Sequence, residues 1–319
     1  MMNIFKKDGD SIVRCEEFNN VNALTLPQNI IWIDLVHPSS AEVSYIAKIY
    51  GLDIPTKEER EEIEQSARYF EDAQSITINT YFLIRDQEMK LHNETVTFIL
   101  FQKILFTIRY ANFKVFNEIQ RDILISPKNF EDGFDVISSI FELRVERDAD
   151  MLEGAAELTK FLRKEISEKD SSEHNTHLAK LADLQELNLN IRVSLFDKRR
   201  AIASFLKSNK VESEIKKELN IILQDLNSLT EFTTANLNML DHTQSLLANQ
   251  VNIEQNKIIK LFTVATMAMM PPTLIGTIYG MNFTHMPELE WEFSYPIVLI
   301  TMIISTVIPV FYFKKKGWL

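Results

Sequence analysis

Apolar and polar positions are arranged along this chain in three ways, one after another. In residues 1–132 the apolar residues come in short bursts rich in Ile, Val, Phe, Tyr and Thr, at 29–36 (NIIWIDLV), 74–84, 94–101 and 103–110. Bursts of that length and composition predict strands. Helix signals lie between them. Ser39 or Ser40, behind Pro38, caps a helix through about Tyr50, which Gly51 ends. Thr56, with Glu59 three residues on, makes a capping box for a short charged helix over 56–65. Residues 112–125 read as a further helix. The order β, α, α, several β, α predicts an α/β sandwich with a helix layer over a mixed sheet.

From Gly133 the pattern turns helical. No proline occurs between Gly133 and Met270, and Gly154 is the only glycine inside that stretch. Two long helices are expected over 135–168 and 175–208, joined by a loop at 169–172, and a third begins near Val211. In the third, Ile215, Leu219, Ile222, Leu226 and Leu229 step by four, three, four and three, a coiled-coil seam. Nothing stops it before Pro271, so it is expected to run to Tyr279, roughly 100 Å at about 1.5 Å per residue. A helix of that length is a stalk rather than a core element.

The third pattern is continuous apolarity. Residues 258–279 contain no charge after Lys260, and 295–313 contain none at all. Each run has about the 20 residues a helix needs to cross ~30 Å of hydrocarbon. Lys257 and Lys260 precede the first, and Lys314, Lys315 and Lys316 follow the second. The loop between carries Glu288, Glu290 and Glu292 and no Lys or Arg. Lysines stay on the cytoplasmic side, so both termini are expected there and the loop outside. Trp291 and Trp318 fall where an aromatic belt lies.

The first span is not uniform around its axis. At about 100° per residue, Asn252, Asn256, Thr263, Thr266, Thr273 and Thr277 fall within an arc of roughly 100°, with Ile259 and Met270 inside it. One-sided hydroxyls fit either a helix–helix interface or a water- or ion-facing wall. The second span has Thr301, Ser305 and Thr306 and reads as the lipid-side helix. Two spans cannot enclose a pore, so a channel needs several copies, each giving its first helix.

Charge and composition narrow the classes. The 319 residues carry a net charge of -11, and nearly all of the acidic residues lie before Ile258, which argues against a nucleic-acid partner. Cys15 is the single cysteine, so no intramolecular disulfide forms. MMNIFKKDGD lacks the apolar core of a signal peptide, leaving the first span as its own targeting signal. No Ser/His/Asp signature, Walker loop or G-x-G-x-x-G supports an enzyme.

At the end of the first span the chain reads Tyr279-Gly280-Met281-Asn282, then Met286-Pro287-Glu288-Leu289. With Met270-Pro271-Pro272-Thr273-Leu274 and the basic tail ending Trp318-Leu319, this resembles the CorA-type magnesium channels. The match is sharpest over 256–319 and is one of architecture before that. The resemblance implies a cytoplasmic α/β domain followed by long helices and a two-span transmembrane hairpin, assembled as a funnel-shaped homopentamer in the cell inner membrane. Its segments here are 1–132 (α/β domain), 133–210 (helical hairpin), 211–257 (stalk), 258–279 and 295–313 (spans), 280–294 (outer loop with the G-M-N motif) and 314–319 (basic tail).

It also implies a channel for Mg²⁺, with Co²⁺ and Ni²⁺ as further candidates, closed by cytoplasmic Mg²⁺. Gly280, Met281 and Asn282 form the selectivity mouth, with Asn282 facing the metal. Asn256, Ile259, Phe262, Thr266, Met270, Thr273 and Thr277 line the pore, and Glu288 is the outer-loop acid. Partners are then further copies, lipid and divalent cations. The stalk over 240–256 holds only Asp241 and Glu254 as acids, with Ser245 where some members carry another, so no regulatory site is assigned. A zinc transporter of the same superfamily, or a stalked two-span receptor without a pore, are the competing readings. The mouth and the one-sided stripe have no use in the receptor.

Other features carry less. His174 and His177, three apart at a helix start, fit a metal pair or, more simply, a solvated face. His285 reads as a polar loop residue. Acid-rich runs at 58–64, 131–135 and 146–150 read as solvated faces.

Overall fold

A computed structural model describes residues 1–15, 28–62, 68–85, 91–168 and 174–318. It divides into two compact units, Met1–Arg163 with Ala179–Asp241, and Lys164–Leu178 with His242–Leu319.

The first unit is built on a seven-stranded sheet of β1 (Met2–Asp8), β2 (Ser11–Cys15), β3 (Ile30–Val36), β4 (Tyr69–Glu71), β5 (Ser75–Arg85), β6 (Leu91–Phe101) and β7 (Ile104–Arg109). The order is β2-β1-β3-β7-β6-β5-β4. Every pairing is antiparallel except β3 with β7, so the sheet is mixed as expected. Three strands, β1, β2 and the short β4, have no counterpart in the predicted bursts. β1 and β2 pair Asp8 with Ser11 across a two-residue turn whose Gly9 has φ 63°.

Side chains alternate between two cores. On one face Ile33, Leu35, Ile99, Phe106 and Ile108 pack with Ile46 of α1 (Ser40–Tyr50). On the other, Trp32, Phe82, Phe98, Phe116 and Phe141 pack with α3 (Lys114–Ile125) and α4 (Gly133–Glu168). Helices therefore cover both faces, not one. Ser39 and Thr56 cap α1 and α2 (Lys57–Glu61) through capping boxes with Glu42 and Glu59. Gly51 ends α1 in the left-handed conformation, φ 66°. The remainder of the predicted 56–65 helix and the 169–172 loop lie largely or wholly outside the described residues.

Charge enters this interior only in partnership. Asp34, in the middle of β3, accepts from the Arg109 guanidinium at 3.0 and 2.9 Å, from Thr107 at 2.8 Å and from Gln120 at 2.8 Å. Asp148 of α4 meets Lys198 of α5 (His174–Phe205) at 2.9 Å and also pairs with Arg144. The run at 146–150 is thus not wholly a solvated face: Asp148 is fully buried between Arg144 on its own helix and Lys198 on a helix remote in sequence. The run at 131–135 is likewise engaged. Asp135 and Asp132 accept from backbone amides of Glu131, Asp132 and Phe134 at the start of α4.

Helix α6 runs without a break from Ser213 to Tyr279, 67 residues. Its predicted seam is buried in the first unit at Ile215, Leu219, Ile222 and Leu226. The second unit contains the rest of α6 and α7 (Ser294–Lys315), with a 3₁₀ turn at Pro287–Glu290 between them. Both helices are long and apolar enough to cross a membrane.

Candidate functional site

The two apolar helices of the second unit meet along one face of α6. A Cβ at Gly276 would lie 3.1 Å from Met302 Cε of α7, and Val264 and Ala268 are the buried residues of this stretch. By helical rotation, Thr266, Met270, Thr273 and Thr277 point roughly 160° from the centre of that face. They are exposed, as are Asn256, Ile259 and Phe262. The polar stripe therefore does not glue the hairpin together. Of the two meanings open to it, an interface with the chain's own second span is removed.

Thr266, Thr273 and Thr277, with Met270, line an open groove of about 640 Å³. Ala265, Met269 and Leu274 line it too. Rotation alone sets Met269 about 100° from Met270, yet it flanks the same groove, because a long thioether reaches beyond its own sector.

The threonine hydroxyls are oriented. Thr263 donates to Ile259 O, Thr266 to Phe262 O, Thr273 to Met269 O and Thr277 to Thr273 O, at 2.5–2.8 Å. Each proton is committed to the carbonyl four residues back, so each oxygen shows outward as an acceptor. Pro271 and Pro272 lie inside the helix. Lacking N–H groups, they leave the carbonyls of Met267 and Ala268 without their usual partners beside Met270.

Beyond Tyr279 the backbone closes tightly. Gly280 N–H donates to Gly276 O at 3.0 Å, and Met281 N–H to Ile278 O at 3.3 Å. A Cβ at Gly280 would come 3.1 Å from Gly276 O, so close approach, not a positive φ, requires glycine here. Asn282 follows, exposed, with no hydrogen bond to its amide from any described residue. Glu288, Glu290, Glu292 and His285 are exposed on the loop. Ser294, opening α7, donates its hydroxyl to Glu288 O.

The histidines at the start of α5 are not a solvated face. His174 bonds Glu254 at 2.7 Å and His177 is buried. Among the described residues no group of three or more His, Cys, Asp or Glu gathers that could hold a metal ion.

Comparison with known proteins bears on this arrangement. A family model described as CorA-like Mg²⁺ transporter protein matches residues 27–315. A magnesium transport protein CorA of Wolinella succinogenes is 59% identical over 323 residues, covering 100% of both chains. Its namesakes in Campylobacter jejuni and Helicobacter pylori are 55% and 49% identical, again over 100% of each chain. The solved structure of the complete CorA magnesium transporter from Methanocaldococcus jannaschii superposes with a TM-score of 0.82 at 19% identity, covering 100% of this chain and 99% of that one. The full-length CmaX protein superposes at 0.71, with 13% identity over 100% of this chain and 98% of that one.

Proposed function

The chain belongs to the family of CorA-like Mg²⁺ transporter proteins, and from that premise we propose that it carries hydrated Mg²⁺ through a pore lined by the exposed stripe of α6. The observation that carries this is the stripe itself, turned away from α7 and ending at Asn282. Residues 258–279 and 295–313 span the inner membrane, 280–294 lie outside, and 1–257 and 314–319 lie in the cytoplasm. Five copies close the pore, each contributing α6, with lipid around α7.

Magnesium dehydrates reluctantly and keeps most of its waters. Those waters present hydrogens outward. A wall of threonine oxygens whose own protons are tied to the backbone accepts from them without stripping the ion. Asn282 offers its amide oxygen in a ring at the mouth, set by Gly280 and Met281. Repeated Glu288, with Glu290 and Glu292, raises the local cation concentration outside. Phe262, Ile259 and Met270 form apolar constrictions that close by excluding water, and Asn256 rings the inner entrance. A divalent ion moving inward gains about 4.6 kcal/mol per 100 mV of inside-negative potential, so no other energy source is needed.

Rising cytoplasmic Mg²⁺ closes the pore and Co²⁺ and Ni²⁺ share the path. The test is uptake into liposomes. Mg²⁺ should enter, without a proton gradient, faster than Zn²⁺. Zn²⁺ entry driven by protons with no Mg²⁺ entry would replace the reading with the zinc one, and no entry of any ion would favour the receptor.

A further inference from the structure

The mouth is one end of the hairpin, and the other end holds an arrangement the pore does not use. Lys257, Lys260, Lys314, Lys315 and Lys316 are all exposed there. None pairs with a carboxylate of a described residue, and Glu254, one turn before Lys257, is engaged by His174.

The tail is folded onto this cluster by a specific backbone device. Gly317 is left-handed, φ 71°. Its N–H donates to Lys314 O, and the Trp318 N–H reaches back to Phe313 O, both at 3.1 Å. That pair of bonds is a Schellman motif, and its usual apolar contact is present: the Trp318 and Phe313 rings lie 5.1 Å apart. The turn leaves the Lys260 ammonium 5.9 Å from the centre of the Trp318 ring, and Lys316 lies 5.3 Å from that of Tyr312. One cation from the start of the first span thus lies over the exposed indole of the tail and one from the end of the second over Tyr312, just where the apolar surface of Ile308 and Phe311 ends.

We infer that this cluster is a docking site for the headgroup of an anionic phospholipid. The lysines complement its phosphate. The indole suits the boundary between headgroup and hydrocarbon, and the exposed flank of α7 receives the acyl chains. Free phosphate would satisfy the lysines alone and would leave Trp318 and the apolar wall without a role. The inference rests on the spans lying in a bilayer, as proposed above.

The test titrates the full-length protein in a neutral detergent with phosphatidylglycerol and with phosphatidylcholine, read by native mass spectrometry. Phosphatidylglycerol should bind at least about tenfold more tightly, with a preference that shrinks as salt rises. Replacing Lys314, Lys315 and Lys316 together by Gln should remove most of that preference, and replacing them by Arg should keep it. Trp318→Ala should weaken both lipids alike.

Equal affinity for the two lipids overturns the inference, as does a salt-independent preference, which needs no variant to measure. Displacement of phosphatidylglycerol by inorganic phosphate would assign the lysines to a soluble anion instead. Mg²⁺ flux in pure phosphatidylcholine vesicles separates the two claims. Flux with no lipid preference leaves transport standing and removes the lipid site, whereas preference with no flux in any vesicle does the reverse.

Discussion

The sheet of the first unit and the hairpin of the second solve opposite problems. In the sheet the central strand β3 is buried throughout on both faces, and the charges that enter are answered by the same chain. Asp34, fully buried, has two contacts from Arg109 and one each from Thr107 and Gln120. The hairpin is the reverse. Its interior contains no charge, α7 has no buried residue, and Ile259, Phe262 and Met270 are all at least 60% exposed. A single chain finishes the first region and leaves the second open; under the reading proposed above, lipid and other copies complete it. Charge in the first region serves structure, and on that same reading the polarity of the second serves transport.

The sharpest way to break that comparison is to damage the open region without touching the closed one. Asn282→Ala removes an amide that bonds no described residue of its own chain. A hydrogen bond contributes about 0.5–1.5 kcal/mol, so its loss from five copies around one ion should slow Mg²⁺ uptake on the order of a hundredfold. Melting of the α/β region and the mass of the assembly should not change. Growth on limiting magnesium at the wild-type rate would remove Asn282 from the mouth, and a monomer that conducts would remove the pentamer.

The converse experiment strikes the closed region. Arg109→Met leaves Asp34 buried and unpaired, which should cost about 3–5 kcal/mol. Combining it with Asp34→Leu should recover much of the loss, since an apolar pair of similar volume is tolerated where half an ion pair is not. Thermal unfolding of the full chain in detergent measures both. A double variant no better than the single would mean that Thr107 and Gln120, not the arginine, set the cost.

What could be read from the sequence divides along the same line. The hairpin was legible because its signals are local: the lengths of the apolar runs, the period of the threonines and the order Gly-Met-Asn are all contained within a few turns. Much of the sheet was legible for the same reason, through bursts such as 29–36. The first two strands were not, because Ile4 and Phe5 are buried by neighbours some thirty residues on. The Gly9-Asp10 turn between them was the available signal. Nor could Asp148 be told from its solvated neighbours. Only the fold brings Lys198 to it, and an acidic run looks alike whichever carboxylate turns inward. Trp318 was placed at the interface by its position, but its contact with Lys260 needed the turn at Gly317.

A smaller effect is expected at the constriction. Met270→Asp puts an ionisable group where the proposed pore has an apolar ring that excludes water. Uptake should become several-fold leakier and depend less on cytoplasmic Mg²⁺. Met269→Leu, a change of similar volume on the flank of the groove, should leave both unchanged. Flux through an assembled Met270→Asp variant that matches wild type in rate and in Mg²⁺ inhibition would turn Met270 away from the pore.

The smallest effect sharpens the comparison through pH. Burial pushes the Lys198 ammonium down from 10.5 to about 8, against the pull of Asp148 and with a contribution from Arg144. Asp197 on its own helix also faces it, and the ring of Phe82 lies 5.2 Å away. Between those two pH values the unfolded chain holds a proton that the folded chain has released. Stability then rises with pH, by at most about 1.4 kcal/mol per unit. The contribution is complete above the unfolded value and is lost as pH falls through about 8. Relative to Lys198→Met, which has nothing to titrate, the wild type should gain about 1–2 kcal/mol between roughly pH 7.5 and 9.5. Salt should scarcely alter the gain, because the group is shielded from the solution. Parallel curves for wild type and Lys198→Met would mean that Asp148 holds the proton on Lys198 as firmly as water does.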